Sequence, residues 1–124
     1  MTTRPDPHDL LVQLACKALN AMPGVVAWQN LSPGDVKIVG WKPGMFKKVS
    51  PGAERGVADI LCVAHGLYAE FEAKTTARKA TSALSADQRR HRDKVLAAGG
   101  LYSAFADPTE PAAILRAWLH GKDG

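Results

Sequence analysis

Two β-patterned segments with almost nothing between them constrain this chain most. Gly56-Val57-Ala58-Asp59-Ile60-Leu61-Cys62-Val63 reads as a short buried strand, and Leu67-Tyr68-Ala69-Glu70-Phe71-Glu72-Ala73-Lys74-Thr75 as an alternating one. His65-Gly66 turns the chain between them, so the pair predicts a hairpin. Alternation puts Glu70, Glu72 and Lys74 on one face of the second strand and Phe71 and Ala73 on the other. Carboxylates and an amine are thereby brought to one end of a sheet, close to Asp59. A hard divalent cation on the acids, beside an ammonium group that steadies a nucleophile or a phosphate, is the chemistry that phosphodiester hydrolysis requires.

Around this hairpin the chain predicts the order α-β-β-β-β-α-β-α. Residues 8–21 carry an apolar helical stripe (Leu10, Leu11, Leu14, Ala15, Ala18, Leu19) that ends at Pro23-Gly24. Val25 to Trp28 and Val36 to Val39 read as strands separated by a turn at Ser32-Pro33-Gly34-Asp35. From Trp41 to Gly56, prolines and glycines alternate with Lys42, Lys47, Lys48 and Arg55, the pattern of a mobile basic loop. Ser85-Ala86-Asp87-Gln88 has capping-box spacing and opens a helix that Gly99-Gly100 stops. Leu101 to Phe105 is a strand, and Asp107-Pro108-Thr109-Glu110-Pro111 starts a last helix with Ala113, Ile114, Ala117 and Trp118 as its apolar members. The unit from Leu67 to Phe105 should cross over right-handed, setting strand 101–105 parallel to strand 67–74 and the Gln88 helix over one sheet face.

A chain of 124 residues has room for one core, so residues 1–124 are read as a single domain. No apolar run approaches the roughly 20 residues that cross a bilayer, and residues 1–7 lack a signal-peptide stretch, so no membrane association and a cytoplasmic location are expected. Cys16 and Cys62 each lie alone in apolar surroundings and read as small core residues rather than as zinc ligands or a disulfide. The net charge of +4 is unevenly spread. Between Lys74 and Lys94 seven basic residues face two acidic ones, a local +5 that leaves −1 for the rest. Positive charge directly after the acidic strand suits a polyanion tracked across it; a solvated helix face is the bland alternative.

The motifs also carry a resemblance. Gly56 to Asp59, Glu72 to Lys74, Ser85 to Gln88 and Gly99-Gly100, over roughly residues 8–106, resemble the VRR-NUC family of viral stand-alone type, within the PD-(D/E)xK nuclease superfamily. Ala58 stands where the family has a proline, a position that ligates nothing. In place of the family's glutamate on the first helix the chain offers Asp9. The resemblance implies a restriction-endonuclease-like α/β core with a mixed sheet flanked by helices, Mg²⁺ or Mn²⁺ as cofactor, and an origin in a bacterial virus and its host's cytoplasm. It further implies a homodimer that cuts branched DNA such as four-way (Holliday) junctions. A nicking or restriction-like nuclease, or a catalytically silent nucleic-acid-binding module, are the alternatives.

The candidate residues then fall into place with their alternatives. Asp59 and Glu72 are the expected metal ligands, with the Ala73 carbonyl as a third and Asp9 as a further one, directly or through water. Asp59 could instead form an ion pair with Lys74 or Arg55. Lys74 would contact the attacking water or the phosphate, or pair with Glu72 or Glu70. Gln88 is accounted for by the capping box, while the resemblance gives it an active-site contact. Glu70 is expected at the solvated strand edge, with a second metal as its alternative. Lys47, Lys48, Arg55, Arg78, Lys79, Arg89 and Arg92 are expected to meet DNA, with His91 as a phosphate contact. His8, His65 and His120 read as helix-start, turn and near-terminal residues. Trp28 and Trp118 read as core or interface residues, and Trp41 as a possible base-stacking contact.

Overall fold

The computed structural model describes residues 6–30, 55–75 and 84–123. The chain is mixed α/β: four described strands form one sheet in the order β1-β2-β3-β4, flanked by three described helices. The expected strand at 36–39 and most of the expected loop at 41–56 lie outside the described residues, as do Lys47, Lys48, Arg78, Lys79 and Trp41. Among the described residues no helix is long and apolar enough to cross a membrane.

Helix α1 (Pro7–Asn20) begins where Asp6 caps it, the carboxylate accepting from His8 N at 2.8 Å, with proline at the helix start where a missing N–H costs nothing. Its buried stripe is Leu11, Val12, Ala15, Cys16 and Leu19, while Leu10 and Leu14 are exposed. The helix is thus rotated from the expected stripe, because Val12 and Cys16 pack as well as leucines do. At its end the Asn20 side chain grips strand β1 (Val25–Gln29), donating to Ala27 O at 2.9 Å and accepting from Ala27 N at 2.8 Å.

Strands β2 (Ile60–Ala64) and β3 (Leu67–Ala73) form the expected hairpin. His65 and Gly66 both have positive φ, 52° and 82°, as a two-residue turn matched to strand twist requires. Strand β1 pairs antiparallel with β2. Strand β4 (Leu101–Phe105) lies parallel to β3, Ala69 opposite Leu101 and Ala73 opposite Phe105, as the sequence predicts. Between β3 and β4 comes helix α2 (Ala86–Ala97), and helix α3 (Glu110–Asp123) follows β4. Helix α2 opens with a complete capping box and ends in a Schellman motif: Gly100 N donates to Val95 O and Gly99 N to Leu96 O, with Gly99 at φ 91°.

One sheet face, through Val25, Ala27, Ile60, Cys62, Ala64, Ala69, Phe71, Ala73 and Phe105, packs on α1 and on Leu115 of α3 in a single cluster. Fully buried Phe71, Phe105, Leu19, Ile60 and Leu115 carry most of that burial, each worth about 1.5–3 kcal/mol. In α3 the inward residues are Pro111 and Leu115, flanked by partly buried Ala112, Ile114, Trp118 and Leu119. Ala113 and Ala117, expected in the stripe, are exposed, since bulkier neighbours take the contact. Cys16 and Cys62 are free and buried in the core, and desolvation pushes the Cys62 thiol up to about 11.

On the other face α2 covers β3 and β4, with Val95, Ala58, Tyr102 and Leu84 packed together. Val26, Trp28, Val63 and Tyr68 stay exposed there, Val63 standing opposite both Val26 and Tyr68. Trp28, expected in the core or at an interface, lies on this open face and not in the core.

The segment expected as the start of the first hairpin strand departs from strand geometry: β2 begins at Ile60, and Gly56 to Asp59 lead into it. Gly56 has φ 86°, and a Cβ on it would come within 2.2 Å of Asp87 O and 2.8 Å of Gln88 N, so the first turn of α2 rests on bare backbone. Gly56→Ala should therefore cost about 1–3 kcal/mol from the strained φ alone, with displacement of α2 added, as urea unfolding of the two proteins would measure.

Candidate active site

The sheet end at which β2 begins and β3 finishes gathers the predicted acids. Asp59 immediately precedes β2, and its Oδ2 accepts from Ala73 N at 2.9 Å, so the side chain continues an interaction that the ladder, ending at Ile60 and Phe71, has left off. Asp59 O accepts from Asn30 N at 2.8 Å, which fixes the other side of the residue. The ion pairs considered for Asp59 with Lys74 or Arg55 give way to a contact from α1: His8 Nε2 lies 3.2 Å from Asp59 Oδ2.

Glu72 is 5% exposed on the α2 side of β3. Gln88 Nε2 donates to its Oε2 at 2.6 Å, and Lys74 Nζ donates to Gln88 Oε1 at 3.3 Å. Gln88 Oε1 also accepts from Ser85 N at 2.9 Å, so the same amide closes the capping box and bridges Glu72 to Lys74. The structure thus brings Asp59, Glu72, Lys74 and Gln88 into one cluster. The two readings of Gln88, cap and site contact, are both realised.

The electrostatics follow from that crowding. Burial, and then a hydrogen bond and like charge from Asp59, push the Glu72 carboxyl up from 4.5 to about 9, with Lys74 opposing. A buried carboxyl driven towards its neutral form by desolvation and like charge is one whose ionised form a cation would stabilise. The donors are oxygens, which suits Mg²⁺ or Mn²⁺, and Mg²⁺ commonly takes one or two carboxylates while keeping several waters. Asp59 and Glu72 therefore fit such an ion as ligands. Among the described residues no group of three or more His, Cys, Asp or Glu side chains is arranged to hold a metal.

Other expected residues stand elsewhere. Asp9 has 67% of its side chain exposed, 3.7 Å from the ring of His8. It is His8, read from the sequence as a helix-start residue, that brings α1 to Asp59. Glu70, expected at a solvated edge, is 1% exposed, because Ala58 N, the Tyr68 hydroxyl and His91 supply its carboxylate with partners inside the protein. His91, expected at a phosphate, faces inward to Glu70 and is 11% exposed. The spacing of Leu84, Gln88, His91 and Val95 is the signal for this: all four meet the sheet side. Arg55 and Arg89 are exposed, Arg89 Nη1 bonding Leu84 O at 2.8 Å, and Arg92 Nε meets Asp93 at 3.2 Å.

An open groove of about 910 Å³ lies towards the other end of the sheet, lined by Met22, His65, Arg116, Leu119 and His120 among others. It contains none of the four clustered residues. The strongly raised carboxyl, Glu72, lies in the cluster and outside this groove. Comparison with protein-family models and with curated protein sequences finds no match.

The raised Glu72 value has a consequence for stability. The folded protein holds this proton more tightly than the unfolded chain, so the contribution is full below pH 4.5 and is lost as pH rises to about 9. Denaturant titrations in EDTA across that range should show stability falling with pH, and Glu72→Gln should flatten that part of the profile. An equal slope in both proteins would contradict the raised Glu72 carboxyl.

Proposed function

We propose that this protein is a divalent-metal-dependent endonuclease with a PD-(D/E)xK-type site, acting on branched DNA. The observation that carries the reading is the buried Glu72 carboxyl, pushed up by burial and by neighbouring Asp59, which Gln88 bridges to Lys74. Asp59 and Glu72 would hold Mg²⁺ or Mn²⁺, with the Ala73 carbonyl as the backbone ligand that the family resemblance implies. Such an ion acts as a Lewis acid and lowers the pKa of bound water.

The chain's own contributions are positional and electrostatic. Ala73 N and His8 hold Asp59 Oδ2 from two sides. Gln88 fixes the buried carboxylate of Glu72 and orients the Lys74 ammonium at the same time. Lys74, half-buried at the end of β3, would donate to the phosphate as charge develops on it. Water supplies the new P–O bond and the ester P–O bond breaks, without a covalent enzyme intermediate, since no serine or cysteine nucleophile joins these acids among the described contacts. Arg55 and Arg89 offer exposed charge for the DNA backbone.

A homodimer fits the same reading. The exposed Val26, Trp28, Val63 and Tyr68 form an apolar strip on the uncovered sheet face, and burying it against a second copy would give a two-fold pair of sites for a two-fold junction.

Asp59→Ala and Glu72→Ala should each abolish cleavage of a four-way junction in Mg²⁺ while binding of the junction persists, and Lys74→Ala should slow cleavage about 10²–10³-fold. Cleavage retained by either acid variant would falsify the metal site. Cutting of linear duplex as fast as junction would select a nuclease of other substrate, and retardation without cutting, indifferent to EDTA, would select a binding module. Sedimentation should report a dimer that Val63→Asp converts to monomer.

A further inference from the structure

Glu70 is the most buried acid among the described residues, and the proposed chemistry leaves it without a role. Its Oε1 accepts from Ala58 N at 2.9 Å; its Oε2 accepts from the Tyr68 hydroxyl at 2.6 Å and pairs with His91 Nε2 at 2.7 Å. These partners belong to three parts of the protein: the segment entering β2, β3 itself, and α2. Ala58 directly precedes Asp59, and His91 lies one helical turn beyond Gln88.

We propose that Glu70 is a positioning residue for the candidate metal site, its carboxylate setting where Asp59 and Gln88 stand relative to Glu72. The geometry is that of two rungs. Glu70 and Glu72 stand about 7 Å apart along the strand, and His91 and Gln88 about 4.5 Å apart along the helix axis. One rung, Glu72 with Gln88, ties α2 to β3 at a single polar point beside the packing of Val95. The second rung, Glu70 with His91, fixes the tilt of the helix. The third bond, from Ala58 N, fixes the backbone one residue before Asp59.

An apolar side chain could fill this space without the desolvation cost of a buried carboxylate. It would not direct a backbone N–H and a ring nitrogen to defined places. Tyr102 closes the pocket, its ring set edge-on to His91 at 6.1 Å and its hydroxyl donating to Gly56 O at 3.1 Å. The network therefore holds the segment that leads into Asp59 at two points, Gly56 O and Ala58 N. Partners that orient ligands from behind in this way typically govern metal affinity about 10–100-fold.

This inference rests on the nuclease reading for its metal arm and is tested with Glu70→Ala and Glu70→Gln in the full chain. Calorimetry with Mn²⁺ should show affinity reduced about 10–100-fold in Glu70→Ala, and less in Glu70→Gln, whose amide oxygen still accepts from Ala58 N. Hydrogen exchange supplies a readout independent of activity: in Glu70→Ala the Ala73 N–H, bonded to Asp59, should lose protection together with Ala58 N–H. A folded Glu70→Ala with unchanged Mn²⁺ affinity and unchanged Ala73 exchange overturns the proposal. A wild-type protein that binds no Mn²⁺ sinks the nuclease reading instead, and Ala73 exchange then decides the positioning role alone. Should Glu70→Ala fail to fold, Glu70→Gln and His91→Asn are judged by the same two measurements, and no change in both overturns it.

Discussion

A carboxylate taken out of water must find partners, and β3 removes two of them, Glu70 and Glu72, on one face. Helix α2 answers that demand with Gln88 and His91. Its placement is correspondingly exact in the local chemistry: the capping box that starts the helix uses the same Gln88 amide that binds Glu72, so a shift in the helix start would be felt at the acid. Gly56 permits the close approach, because any side chain there would meet the Asp87 carbonyl. Helix start, glycine and buried acids form one mechanical unit, and the site is the part of that unit that opens to solvent.

The two sheet faces divide the work. The face towards α1 and α3 is apolar throughout its buried cluster and supplies the stabilising burial. The face towards α2 is costly by comparison, with two acids, a histidine and two tyrosines brought together, and burial and the nearby acids raise both tyrosine hydroxyls well above their ordinary range. Among the described residues no buried side-chain polar atom lacks a partner, so the cost is met by hydrogen bonds rather than left as strain. A polar network so fully satisfied specifies one arrangement of helix on sheet, which is what a site built from several elements needs.

Much of this was legible in the sequence where the signal is local. Two residues between β-patterned runs gave the hairpin, Ser85 with Gln88 gave the cap, and Gly99-Gly100 gave the stop, since each depends on backbone geometry within a few residues. What periodicity could not tell was which neighbour would cover a face. Glu70 alternates with Phe71 as a solvated residue would, and only the packing of α2 makes it internal. The α1 and α3 stripes agree with periodicity at Leu11, Ala15, Leu19, Ile114 and Trp118 and depart from it at neighbouring positions for a related reason: several apolar residues compete for each face, and size and fit decide. Asp59 was placed within the strand because Ile60 to Val63 are apolar, whereas the positive φ at Gly56 turns the chain before the ladder starts.

The contribution of α1 shows how a one-residue difference redirects chemistry. Adjacent helical residues point about 100° apart, so a helix that aims position 8 at the sheet end turns position 9 away. Here the inward residue is His8, on Asp59 Oδ2, and Asp9 stands largely in solvent. A carboxylate at the inward position would set a third acid beside Asp59 and Glu72, where burial and like charge already push the Glu72 carboxyl up. The imidazole instead sets Nε2 3.2 Å from Asp59 Oδ2, the oxygen that also accepts from Ala73 N. The cluster therefore presents two carboxyl groups, Asp59 and Glu72, rather than three; under the proposed reading that complement would suit an ion keeping much of its own water.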